Sequence, residues 1–190
     1  VSVRTRVYGG AEAFVAELHA RWMKRNGGSQ ASAGGAAAPQ RFLPPSREMP
    51  DNAIFISYAR EDLAAVQRLK AAMDSAGLVT WFDLDRLEGG DEFDRKIRAN
   101  IARCSYFVPI VSATTQRRLE GYFRREWSYA VDRSLNIADG AVFILPVCID
   151  DTSEAVALVP EKFRALHMSR LPGGEPTPEF LRRLQELSQG

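Results

Sequence analysis

From residue 53 onward, two hydrophobic patterns alternate along the chain. Short runs that are apolar on both faces read as buried strands over 53–57, 78–82, 106–111 and 142–149, with a weaker fifth over 165–168. Between them, apolar residues recur every three or four positions, the helical period. Leu63, Val66, Leu69 and Met73 mark a helix over 61–76, closed by Gly77. Phe93, Ile97 and Ile101 mark a second helix. Phe123, Trp127 and Val131 mark a third over 119–131, and Phe180, Leu184 and Leu187 a last one. Buried strands alternating with helices predict an α/β fold, with a five-stranded parallel sheet between two helical layers. The expected strand order is the flavodoxin-like 2-1-3-4-5, whose ligand crevice lies outside the carboxyl ends of the strands. Pro109 falls inside the third strand, where it removes a ladder donor and predicts a bulge.

The chain before residue 51 reads differently. Phe14, Leu18 and Trp22 recur at four-residue spacing, with Val15 beside them, and predict an amphipathic helix over 11–26 that Asn26-Gly27-Gly28 ends. Residues 27–50 are dominated by Gly, Ser, Ala and Pro, a composition that cannot bury enough apolar surface to offset its ordering entropy; a flexible linker is expected. A lone helix does not fold by itself. Residues 1–26 therefore read as the tail of an upstream domain, and 51–190 as the folded domain. A first residue of Val1 also suggests a piece of a longer protein.

Composition narrows the function. Lys and Arg number 25 against 24 Asp and Glu, a net charge of +1, so no electrostatic footprint for nucleic acid or an anionic membrane is visible. No run of about 18 apolar residues predicts a spanning helix, and no secretory leader opens the sequence. Cys104 and Cys148 have no His or Cys nearby, so neither a disulfide nor a zinc site is expected, and a reducing cytoplasm is the expected location. Neither a Gly-x4-Gly-Lys loop nor a Gly-x-Gly-x-x-Gly turn follows a strand.

The strand ends carry the informative residues. Ile54-Phe55-Ile56-Ser57-Tyr58 closes the first strand, followed by Arg60. The second strand leads into Trp81-Phe82-Asp83-Leu84-Asp85-Arg86-Leu87-Glu88-Gly89-Gly90, and the third ends Val108-Pro109-Ile110-Val111-Ser112. Tyr122 to Glu126 spells aromatic-x-x-x-Glu on the helix that follows, and Pro146-Val147 lies in the fourth strand. In this order, over residues 53–188, these pieces resemble a Toll/interleukin-1 receptor (TIR) domain of the bacterial kind. Tyr122 stands where the family usually has Trp.

The resemblance implies one of two functions. Many TIR domains hydrolyse NAD+ to nicotinamide and ADP-ribose or a cyclic variant, in bacteria as antiphage defence by NAD depletion; others are non-catalytic scaffolds that bind further TIR domains. In the hydrolases the motif glutamate is catalytic, which here is Glu126. The same resemblance assigns substrate contacts to Arg60, Phe82, Asp85, Glu88, Ser112 and Tyr122, with Asp85 and Glu88 on the BB loop that closes over substrate or touches a neighbouring subunit. Ser112 has a simpler reading as the cap of the turn after the third strand. NAD+ is then substrate rather than cofactor, and no metal is implied. The implied partners are NAD+, further copies through TIR–TIR contacts, and an upstream regulatory domain of the same protein. The scaffold reading differs in needing no open pocket shared by Glu126, Tyr122 and Arg60.

One carboxylate suffices for that chemistry. Glycosidases use two because an alkoxide leaving group needs a proton. Nicotinamide leaves a cationic pyridinium as a neutral molecule, so a single carboxylate that stabilises charge developing on the ribose meets the need. At 3.6 residues per turn, Glu126 is expected at the margin of the inward stripe Phe123-Trp127-Val131, facing a cleft. Two other readings fail on context. Residues 89–93 spell the Gly-Gly-Asp-Glu-Phe of diguanylate cyclases, but the following Asp94-Arg95-Lys96-Ile97 is helical by period rather than a hairpin strand. Response-regulator receivers need an Asp after the third strand, where this chain has Ser112.

Overall fold

The computed structural model describes residues 48–82 and 91–189. The helix expected over 11–26, most of the linker, and Asp85 and Glu88 lie outside the described residues.

Five strands form one parallel sheet in the order β2-β1-β3-β4-β5. They are β1 (Ile54–Ser57), β2 (Thr80–Trp81), β3 (Phe107–Val111), β4 (Val147–Cys148) and β5 (Ser169–Arg170). The helices are α1 (Leu63–Ser75), α2 (Asp91–Arg103), α3 (Ala113–Arg117), α4 (Tyr122–Ser134), α5 (Glu161–Arg164) and α6 (Pro178–Gln189). Single 3-10 turns at Arg60–Asp62 and Pro172–Gly174 follow β1 and β5.

The period-2 geometry of the strands sorts their side chains into two cores. Phe55, Phe107, Val111 and Cys148 point to one face and pack with Ile97 and Ile101 of α2 and Phe123, Trp127 and Ala130 of α4. Ile54, Ile56, Val108, Ile110 and Val147 point to the other, against Val66, Leu69 and Met73 of α1 and Phe180 and Leu184 of α6. Three layers result, as the doubly apolar strands require. Phe55 stacks on Phe107 at 5.5 Å across β1 and β3, and Trp127 meets Phe123 edge to face at 5.2 Å along α4. Aromatic pairs of this kind add about 0.5–1.5 kcal/mol to the area they bury.

Pro109 makes no bulge. Ser57 pairs with Pro109 in the same unbroken register as Phe55 with Phe107. On the other side, Phe107 bridges Ile144 and Ile110 pairs Val147, a constant offset that sets Pro109 opposite Pro146. Phe107 donates its N–H to Phe143 O and accepts from Leu145 N, so alternate residues of β3 face β4 and the missing Pro109 donor falls on that side. The ladder loses a bond there and β4 shortens to two residues, while the register survives.

The 3-10 turn after β5 sits against α1 with no room for a side chain. Gly174 has φ +80°, and a Cβ there would lie 2.1 Å from Ala65 O. Arg68 Nε donates to Gly173 O at 2.8 Å and fixes the same contact.

Candidate active site

At β1 the chain reverses its direction across the sheet, with β2 on one side and β3 on the other. A crevice forms outside the strand ends at such a switch point. Ser57 is the last residue of β1, and its Oγ donates to Glu126 Oε2 at 2.5 Å. Both residues are fully buried, at 0% exposure. Helix α4 delivers the carboxylate: its buried positions are Phe123, Glu126, Trp127 and Ala130, spaced i, i+3, i+4, i+7. Glu126 therefore stands within the inward stripe. The sequence expectation of a marginal, cleft-facing carboxylate is corrected, because Val131 is only partly buried and the stripe runs through Ala130 instead.

The flanking arginines hold α4 in place. Arg124 Nη2 donates to Thr115 O at 2.7 Å and Arg118 O at 2.8 Å, and its Nη1 donates to Leu158 O at 2.8 Å. One planar guanidinium thus ties the start of α4 to the end of α3 and to the loop at Leu158, a task that suits Arg and not Lys. Arg125 pairs with Asp94 of α2 at 3.2 Å, and Tyr129 Oη donates to the same carboxylate at 2.7 Å. The 60% exposure of the Arg125 side chain limits that ion pair to a small contribution.

The other expected site residues are placed as follows. Tyr122 opens α4, partly buried, one turn before Glu126, with the Arg125 guanidinium 6.0 Å above its ring. Phe82 is buried edge-on against Tyr58, the residue after Ser57, with ring centroids 5.4 Å apart. Arg60 is exposed at the start of the 3-10 turn after β1, and among the described residues its side chain makes no hydrogen bond or ion pair. Ser112 is buried and caps α3: its Oγ accepts from Thr115 N at 3.1 Å, and Thr115 Oγ1 accepts from Ser112 N at 2.9 Å.

Ser57, Tyr58, Phe82 and Glu126 thus gather around the carboxyl end of β1, while Arg60 stands in solvent. Two partners escaped the sequence reading. Ser57 was visible only as part of a strand. Asp62 accepts from Ser112 Oγ at 2.6 Å and links the turn after β1 to the end of β3. Burial pushes the Asp62 carboxyl above its usual 3.8, against the opposing pull of the Ser112 hydrogen bond. Asp150 closes the row beyond β4, accepting from Ala113 N at 2.6 Å and Thr152 N at 2.9 Å. Among the described residues, no three His, Cys, Asp or Glu side chains are grouped as metal ligands, and no helix is long and apolar enough to cross a membrane.

A flavodoxin-like sheet with a carboxylate buried at its switch point defines the class, and comparison with known proteins defines the family. The family model for the TIR domain matches residues 54–185, so the chain belongs to the TIR domain family. It is 30% identical over 97 residues to the NAD(+) hydrolase TcpC of Escherichia coli O6:H1, a match covering 49% of this chain and 29% of that protein. The chain thus spans under a third of the curated relative's length. The fold is similar to the TIR domain of the Toll-related receptor TRR-2 from Hydra magnipapillata, with a TM-score of 0.52 at 16% identity, covering 72% of this chain and 98% of that one. A metazoan TIR-STING receptor from C. gigas gives a TM-score of 0.49 at 18% identity, over 72% of this chain and 38% of that one.

Proposed function

We propose that this TIR domain is an NAD+ glycohydrolase with Glu126 as its catalytic carboxylate. The observation that carries the reading is the Ser57–Glu126 pair: an acidic side chain at 0% exposure, held at the switch point of the sheet. Carboxylates are rarely kept in an apolar core, where an aliphatic residue at the same helical position would pack at lower cost. Functional sites are where such costs are retained. The relative named as an NAD(+) hydrolase supports the choice of substrate.

In the reaction, the bond between ribose C1′ and the nicotinamide nitrogen breaks, and its electron pair leaves with the ring as neutral nicotinamide. Positive charge develops on the ribose. Once the site is open to substrate, the Glu126 carboxylate, held by Ser57, is the group that stabilises that charge. Water then adds to C1′ and loses its proton, giving ADP-ribose; attack by a group of the substrate itself gives a cyclic product. Glu126 must become accessible when substrate binds, and assembly through TIR–TIR contacts is the step proposed to open it. Such an activity suits a toxic, NAD-depleting role held off by an upstream domain.

The complete burial of Glu126 favours one other reading, in which the carboxylate is a structural tie between α4 and β1 and the domain is a non-catalytic TIR scaffold. The test is release of nicotinamide from NAD+ by the chain at high protein concentration, followed chromatographically. Release that disappears in Glu126→Ala supports the hydrolase; no release by the assembled wild-type protein supports the scaffold.

A further inference from the structure

A cavity of about 230 Å³ opens at the other edge of the sheet, before the start of β4. Phe143, Ile144, Ile137 and Leu166 supply its apolar lining. Three basic side chains line it from three different places: Lys162 from α5, His167 from the turn before β5 and Arg183 from α6. Among the described residues, none of the three side chains has a hydrogen bond or ion pair. That sets them apart from other arginines of the domain, such as Arg68, Arg103, Arg118, Arg124, Arg125, Arg133 and Arg170, each of which has a partner. Asp139 lines the same cavity and is the acidic group facing it.

We infer that this cavity binds a small phosphate monoester, with the phosphate on Lys162, His167 and Arg183 and the organic part against Ile137 and Leu166. The Lys162 and Arg183 cations around one concavity repel one another until a shared anion neutralises them; Arg and Lys are the side chains suited to a phosphate, and the His167 ring N–H can donate to it. Asp139 and Ser134 also line the cavity and offer acceptors for sugar hydroxyls. The volume falls below the roughly 300–1,000 Å³ of clefts that enclose drug-sized ligands, so a sugar phosphate fits and a whole dinucleotide does not. The site is therefore not a second copy of the proposed NAD+ site. Ser134 ends the helix that carries Glu126, eight residues on, about 12 Å along the axis at 1.5 Å per residue.

The test is calorimetric titration of the full 190-residue chain with ribose 5-phosphate, with ribose as the neutral control. Ribose 5-phosphate is expected to bind and ribose to give no heat. The exposed pair Lys162→Gln/Arg183→Gln, read against wild-type circular dichroism, is expected to weaken binding at least tenfold. Arg182→Gln removes a neighbouring charge that pairs with Glu186 outside the cavity, and it is expected to leave affinity unchanged. No binding by wild type, equal binding by the double variant, or equal loss in Arg182→Gln would overturn the inference. Tighter binding of a phosphoserine peptide than of the sugar phosphate would overturn the assignment to a small molecule.

Discussion

Ser57 and Glu126 lie 69 residues apart in sequence and share a hydrogen bond of 2.5 Å in the core, joining the end of β1 to the middle of α4. Neither touches solvent. The bond therefore does two jobs: it satisfies one oxygen of a buried carboxylate, and it fixes that carboxylate at the point where the strand order reverses.

Removing the donor measures the first job. Ser57→Ala leaves Glu126 Oε2 buried without that partner and is expected to cost about 1–3 kcal/mol of stability. The same substitution in a Glu126→Leu background is expected to cost a fraction of that. A double-mutant cycle in urea, followed by tryptophan fluorescence, reads the coupling. Equal costs in both backgrounds would mean that the bond contributes nothing.

Gly174 sets the packing of the turn after β5 on α1. Gly174→Ala forces a Cβ to within 2.1 Å of the Ala65 backbone oxygen and requires an L-residue at φ +80°. A loss of about 3 kcal/mol or more is expected, from steric overlap and backbone strain together. Gly140→Ala has φ +85° but open space around it, so its cost is expected to be about 1 kcal/mol, the backbone part alone. Thermal unfolding of the two variants side by side separates the effects.

Asp150 predicts a pH dependence with a definite sign. Burial works to raise its pKa, but hydrogen bonds from Thr152 and the Ala113 N–H outweigh that and hold the carboxyl below 3.8. A depressed carboxylate contributes stability that is complete well above pH 3.8 and is lost as the pH falls through the native value. Asp150→Ala is expected to destabilise the domain by about 1–2 kcal/mol at pH 7, the worth of charge-assisted bonds at a partly exposed site. The difference from wild type is expected to shrink at low pH, once the wild-type carboxyl is protonated in both native and unfolded states and only neutral hydrogen bonds remain. A difference that stays constant from pH 7 to pH 3 would show that the hydrogen bonds do not depend on the charge.

The layer structure was legible in the sequence because burial on both faces leaves a strong trace. Runs such as Ile54-Phe55-Ile56 admit no polar side, and the helix stripes Val66-Leu69-Met73 and Ile97-Ile101 pack as their spacing requires. Strand lengths were less legible: the apolar run over 142–149 supports a ladder only at Val147–Cys148 and a single bridge at Ile144, because Pro109 and Pro146 face each other across the gap. The site was half legible. Its glutamate stood in a recognisable place and Ser57 did not, and a helical wheel cannot choose between Ala130 and Val131 as the end of the buried stripe. That choice decides whether Glu126 faces in or sideways. The Ser112–Asp62 bond spans 50 residues and leaves no periodic signal at all.

The most direct measurement is the rate of nicotinamide release from NAD+ by the wild-type chain and by Glu126→Gln, at equal concentration under conditions that promote self-association. Gln keeps an oxygen to accept from Ser57 Oγ, so matched unfolding curves would show that only the charge is lost. Turnover by wild type is expected, with a fall of about 10²-fold or more in the variant, the usual scale for removing one preorganised electrostatic group. Equal rates would contradict the assignment of Glu126. No release by either protein in its assembled state would contradict the hydrolase itself and leave the scaffold.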